Sequence, residues 1–206
     1  MKPLYIVRHV ATPERIACVN ELKRHIPDLI VIEDTDKDPM GTFCKALTYD
    51  ISRPIVQLED DIELCDDFVN IIERRIEEAP NAVINFFGHI KSKRTRSKWQ
   101  KGKYFLWLQC TYFPPGYGDM IADYWPIWRD IKGPEYISQM SHMSKSYLYT
   151  VDTLFDQLVA FWLDSRNESY YVSLPALVQH LPITSALHSE LSVNRQNKTF
   201  TKRVTV

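Results

Sequence analysis

The chain has 206 residues, with 25 lysines and arginines against 26 aspartates and glutamates, and a formal net charge of −1. That length builds one sizeable core, and the charge balance excludes a protein that gathers polyanions by global attraction. No window approaches about 18 uncharged apolar residues, so no membrane span is expected, and Met1 to Arg8 meets charge too early for a secretory signal. Cys18, Cys44, Cys65 and Cys110 form no CxxC pair and read as reduced thiols of a cytoplasmic protein.

In chain order, Leu4 to Val10 reads as a strand. Pro13 to His25 follows as a helix, with Thr12 as N-cap and Pro13 at the first helical position. Asp28 to Glu33 is a second buried strand, and a helix is expected from Gly41 to Ile51. Pro54 then opens a central strand, Ile55 to Leu58, which runs into three consecutive carboxylates, Glu59, Asp60 and Asp61. Asp66 or Asp67 caps a helix through Glu78, and Asn81 to Phe87 makes a fourth strand. This β-α-β-α-β-α-β order predicts an α/β fold, a mostly parallel sheet with helices on both faces.

The second half is less regular. Tyr104 to Phe113 reads as a strand, Asp119 to Trp128 as a helix, Asp152 to Leu163 as an amphipathic helix, and Tyr170 to Val172 as a short strand. Arg195 to Val206 reads as a polar tail. One domain is expected throughout, 1–206, with a regular half, 1–90, and a less regular half, 91–206.

The acidic triplet is the first candidate site. In an open α/β sheet, ligands sit outside the carboxyl ends of the strands. Period-two alternation sends Glu59 and Asp61 to one side and Asp60 to the other. Carboxylates so placed suit a hard divalent cation, which would hold a nucleotide's phosphates; the plain alternative is an acidic, solvated helix start.

Two further patterns look like sites. Asp34-Thr35-Asp36-Lys37-Asp38 opens like a calcium loop, but its sixth position is Pro39 and its twelfth Lys45, so an EF-hand is not expected. Arg8-His9-Val10-Ala11-Thr12 resembles the Arg-His-Gly-x-Thr signature of histidine phosphatases, with His9 in the nucleophile's place. There Val10 replaces the glycine that lets backbone approach phosphate.

Gly41-Thr42-Phe43-Cys44-Lys45-Ala46-Leu47, followed after about ten residues by Leu58-Glu59-Asp60-Asp61, resembles the Gly-x-x-Gly-Cys…Leu-Glu-Asp-Asp stretch of GT-A glycosyltransferases. The similarity is strongest to the family-25, lipopolysaccharide-type enzymes. Pro175-Ala176-Leu177-Val178-Gln179-His180, followed by Ser185-Ala186-Leu187, is similar to a late Pro-x-Leu-x-Gln-His…Ser-Ser-Leu segment of GT-A enzymes. Where family 25 commonly has Ser-His after its Cys segment, this chain has Leu47-Thr48.

The resemblance implies a GT-A-like fold with 1–90 as the nucleotide-sugar-binding half and 91–206 as the acceptor-side half, a nucleotide-sugar donor of the UDP class, and Mn²⁺ or Mg²⁺ held by Glu59, Asp61 and His180, Glu59 serving either the metal or the donor ribose. Asp60 supports them, and Arg8, Thr12, Arg15 and Lys45 are placed by it near the nucleotide. An inverting transferase needs a carboxylate base at a late helix start. Asp152 is the candidate and Asp156 the reserve, against a capping role for Asp152.

Lys91, Lys93, Arg94, Arg96, Lys98, Lys101 and Lys103 contain no acid among them, with Trp99 and Tyr104 interleaved. They form either a solvated loop or an acceptor-side patch for a phosphorylated glycan or DNA. Trp125 and Trp128 form an aromatic wall for a sugar or pack in the core.

Overall fold

In the computed structural model, residues 1–88, 98–102, 105, 107–140, 149–183, 197 and 199–204 are described. The chain begins with strand β1 (Leu4–His9), helix α1 (Pro13–His25), β2 (Ile30–Glu33), α2 (Pro39–Leu47) and β3 (Ile55–Glu59). Next come β4 (Ile62–Leu64), α3 (Phe68–Glu78), β5 (Ile84–Asn85), β6 (Lys98–Lys101) and β7 (Cys110–Phe113). The last elements are α4 (Tyr117–Ile127), α5 (Gly133–Gln139), α6 (Phe155–Ser165), β8 (Ser169–Val172) and β9 (Val178–His180).

Alternation along the strands sorts the helices. Tyr5 and Val7 of β1, with Val56 and Leu58 of β3, pack against α1 and α3 through Leu22, Ile26, Phe68 and Ile72. Ile6 and Ile55 point the other way, onto Ala46 of α2. On that same side Phe43, Phe113, Leu158 and Val172 join α2, α4 and α6 over the rest of the sheet. Helices therefore cover both faces.

The main sheet has the order β2-β1-β3-β7-β5-β8-β6. β1 runs parallel to β2 and β3, β7 is antiparallel to both β3 and β5, β8 is parallel to β5, and β6 is antiparallel to β8. All strands but β7 and β6 thus share one direction. This is a mixed α/β fold with a mostly parallel sheet.

Several expectations need correction. The strand expected at Asn81 to Phe87 is β5, and β7 returns from the second half to lie between it and β3. Both halves of the sequence therefore build one sheet. That strand shrinks to Cys110–Phe113 from the expected Tyr104 start. Helix α2 spans Pro39–Leu47 rather than Gly41 to Ile51, because the Asp38 carboxylate accepts from the Gly41 amide at 2.8 Å and caps it earlier. The run Asp34 to Asp38, where no EF-hand is expected, forms that helix entry, with Asp34 accepting from the Asp38 amide at 2.9 Å.

The helix expected to end at Trp128 instead continues from α4 through a π-helical turn, Trp128–Lys132, into α5. Trp128 is fully buried against Tyr136 and Phe161, and its indole donates to the Val151 carbonyl, so it is core rather than a sugar platform. Trp125 packs against the same cluster. The C-terminal tail is less polar in role than its composition: Asn197 is buried with its amide on the Phe87 and Gly88 carbonyls, and Phe200 and Val204 join the α1/α3 core.

Candidate metal centre

The site forms where β3 ends. Glu59 is its last residue, the chain bends through Asp60 and Asp61, and β4 then leaves to pair antiparallel with β9. In that two-stranded ladder Ile62 lies opposite His180, and the Leu181 amide donates to the Asp61 carbonyl at 2.8 Å. A ligand from late in the sequence is thereby fixed beside the acidic turn. Ligand atoms of Glu59, Asp61 and His180 all lie within 4.8 Å of one another.

Asp61 and His180 are buried and Glu59 is half-buried. The Asp61 Oδ2 is taken, by Arg15 Nη2 at 2.8 Å and His180 Nε2 at 3.5 Å. Its Oδ1 and the His180 Nδ1 are buried without a hydrogen-bond partner among the described residues. Buried acceptors left in that state are costly. Two carboxylates and an imidazole are a donor set that fits a divalent cation, so the residues present could hold one. Burial alone would push the Asp61 carboxyl up, but the His180 contact and the Arg15 guanidinium outweigh it and hold the group below its ordinary range.

Asp60 stands outside that ligand group. Its carboxylate accepts from the Val10 amide at 3.1 Å, lies 2.9 Å from His9 Nδ1, and pairs with Arg15 Nη1. The loop amide that a phosphate would need beside His9 is therefore already occupied, which removes support from a phosphohistidine site. Arg15, placed near the nucleotide by the resemblance, is buried, and its fork bridges Asp60 and Asp61. Asp60 and Asp61 pull its pKa up despite a desolvation penalty that is the largest single influence.

Arg8 lies opposite Glu59 in the β1–β3 register, and Nη2 reaches Oε1 at 3.4 Å. Its guanidinium sits 4.3 Å from the Phe155 ring centroid and 5.1 Å from that of Phe43. Burial lowers its pKa, with Glu59, Asp60 and Asp61 opposing, yet an arginine stays cationic. Three carboxylates against two guanidiniums leave this cluster with excess negative charge.

The remaining expected residues divide. Thr12 caps α1, its hydroxyl accepting from the Arg15 amide. Lys45 is exposed and lies about 200° around α2 from Phe43, so it does not converge on the cluster. Asp152 does not open the long helix; it sits exposed in a separate 3₁₀ turn, Val151–Thr153, closed by the Thr150–Thr153 capping box. Helix α6 starts at Phe155, so the carboxylate in its first turn is Asp156.

Asp156 is tied to the site by a short chain of contacts. Its Oδ2 accepts from the Trp107 amide at 3.5 Å, and two residues on, the Gln109 carbonyl accepts from the Glu59 amide at 3.0 Å. Trp107 has φ +73°, and its carbonyl is held by the Asn85 side chain at 2.9 Å. Sequence reasoning missed this loop and the burial of Arg15. The third position of a helix led by Thr-Pro was the one available cue for the latter.

Of the cations between Lys91 and Lys103, only Lys98 and Lys101 fall within described backbone, on edge strand β6; the others, and Ser185-Ala186-Leu187, lie outside the described residues. Among the described residues no helix is long and apolar enough to cross a membrane.

No family model matches the chain, and no curated protein matches it. Among solved structures it is similar to the crystal structure of A197 from STIV, at 12% identity and a TM-score of 0.43, over 58% of this chain and 68% of that one. Similarity at that level carries no functional argument.

Proposed function

We propose that the chain is a metal-dependent glycosyltransferase that moves a sugar from a nucleoside-diphosphate donor, of the UDP class, to an acceptor hydroxyl. The observation that carries this reading is the convergence of Glu59, Asp61 and His180 at the carboxyl end of the central strand. In a doubly covered α/β sheet that is where a ligand is received. Glu59, Asp61 and His180 would hold Mn²⁺ or Mg²⁺, which supplies Lewis-acid stabilisation to a leaving diphosphate.

Arg8 supports the anionic part of the donor. It is half-buried beside Glu59 at 3.4 Å, a long ion pair, and Phe155 and Phe43 hold its plane in place. A cluster with excess negative charge gains net positive charge from one divalent cation, and then attracts a diphosphate. Asp156 is the base in this reading, displacing Asp152, because it stands in the first turn of α6 next to Phe155. It takes the acceptor's proton as that oxygen bonds to the anomeric carbon and the diphosphate leaves with the electron pair of its C–O bond. The acceptor is a glycan hydroxyl, the chain's net charge of −1 giving no general attraction to DNA.

The test is a panel of nucleotide-sugars assayed for nucleotide release with and without Mn²⁺. Cation-dependent release from one donor, lost in Asp61→Ala, is expected. Metal-independent phosphate-ester hydrolysis that vanishes in His9→Ala would replace this reading with the phosphatase. No release from any donor with any divalent cation would overturn it.

A further inference from the structure

Arg15 is spent inside the protein. Its guanidinium is one link in a continuous buried series: His9 on Asp60, Asp60 on Arg15, Arg15 on Asp61, and Asp61 on His180. All five side chains are at most 8% exposed. The two nitrogens of one planar fork reach carboxylates of two successive residues, a geometry that a single-point cation such as lysine cannot reproduce. Asp60 and Asp61 lie in the bend after β3 rather than in the strand, so something must set the angle between their carboxylates, and Arg15 touches both.

We infer that Arg15 is a positioning residue for the cation site. By taking the Asp61 Oδ2 it leaves Oδ1, the buried oxygen without a hydrogen-bond partner among the described residues, as the ligand atom, and Asp60 with His9 anchors the fork from behind. This rests on the metal reading of Glu59, Asp61 and His180. It also makes a prediction of opposite sign from simple electrostatics. Removing a nearby positive charge should strengthen cation binding if only charge matters. If the fork orients Asp61, losing it should weaken binding, typically by about 10- to 100-fold for a group that holds a ligand from behind.

The experiment is direct titration of the full chain with Mn²⁺, read by the electron paramagnetic resonance of free Mn²⁺, for wild type, Arg15→Lys and Arg15→Gln. Arg24→Gln, an exposed change on the same helix, is the charge control. Affinity should fall about 10- to 100-fold in both Arg15 variants and stay unchanged in the control. Far-ultraviolet circular dichroism at the titration temperature establishes that each variant is folded. Should the single changes unfold the chain, Arg15→Met combined with Asp60→Asn removes one charge of each sign, so the cluster's net charge is kept while the fork is lost. The same fall is expected there. Wild-type uptake of Mn²⁺ matched or exceeded by the folded variants would overturn the inference alone. No uptake by the wild type would overturn the metal reading and the inference together.

Discussion

Asp61→Ala and Asp61→Asn separate the two roles that the structure gives this side chain. A carboxylate at a strand end would ordinarily be removed at little cost to stability. Asp61 is instead buried and paired with Arg15 and His180. Removing one partner of a buried pair costs about 3–5 kcal/mol, because the other is left desolvated. Arg15 retains Asp60, so the low end applies, about 3 kcal/mol, or a fall in melting temperature of about 6–12 °C for a chain of this size. Asparagine keeps an oxygen for the Arg15 fork but not its charge, and should cost about 1 kcal/mol. Both changes remove the anionic ligand and should abolish Mn²⁺ uptake. Urea unfolding gives the stabilities, and Mn²⁺ titration the binding. If Asp61→Ala unfolds within about 0.5 kcal/mol of wild type, the buried network is wrong; if Asp61→Asn binds Mn²⁺ as wild type does, the cation cluster is.

Asp156→Asn should lower turnover by roughly two orders of magnitude with donor affinity kept, whereas Asp152→Asn should be near wild type; the reverse ranking in steady-state kinetics would return the base to the 3₁₀ turn. Gly118→Ala would set a Cβ within contact of the Leu47 carbonyl oxygen, 2.8 Å from its carbon and 3.2 Å from its Cα. Since backbone cannot yield as a side-chain tip does, α4 must shift from α2 at a cost near 3 kcal/mol, the upper part of the usual overpacking range; urea unfolding unchanged from wild type would refute that close approach. If DNA is the acceptor after all, changing Lys93, Arg94 and Arg96 to Gln should flatten the slope of log affinity against log salt by about two to three units. Salt-independent transfer to a neutral sugar, unaffected by that change, is the expected result for a glycan acceptor.

Local signals carried much of this molecule. Thr12-Pro13 marked the start of α1 to the residue, because a helix cap depends on neighbours in sequence. What failed depended on distant partners. The three residues of β4 are too few to show a period, and they form a strand only because β9 comes to pair with them. Antiparallel β7 entering between β3 and β5 is equally invisible locally. Arg15 looks like surface on a weakly patterned helix until Asp60 and Asp61 are brought beneath its first turn. Asp152 was taken for a helix start because Thr150-Val151-Asp152 does open a turn, but that turn closes on Thr153 before α6 begins.

Because Ile62 pairs with His180, the cation site closes a loop of more than half the chain. Contacts so far apart must await the ordering of what lies between, and they come late in folding. During synthesis Glu59 and Asp61 leave the ribosome while His180 has yet to be made, so a nascent chain offers a cation two carboxylates and no imidazole. The full ligand set exists only when β9 has docked on β4. Tight binding of a divalent ion there would thus report the docking of β9 on β4, and the ion would favour the docked fold over every intermediate that lacks it.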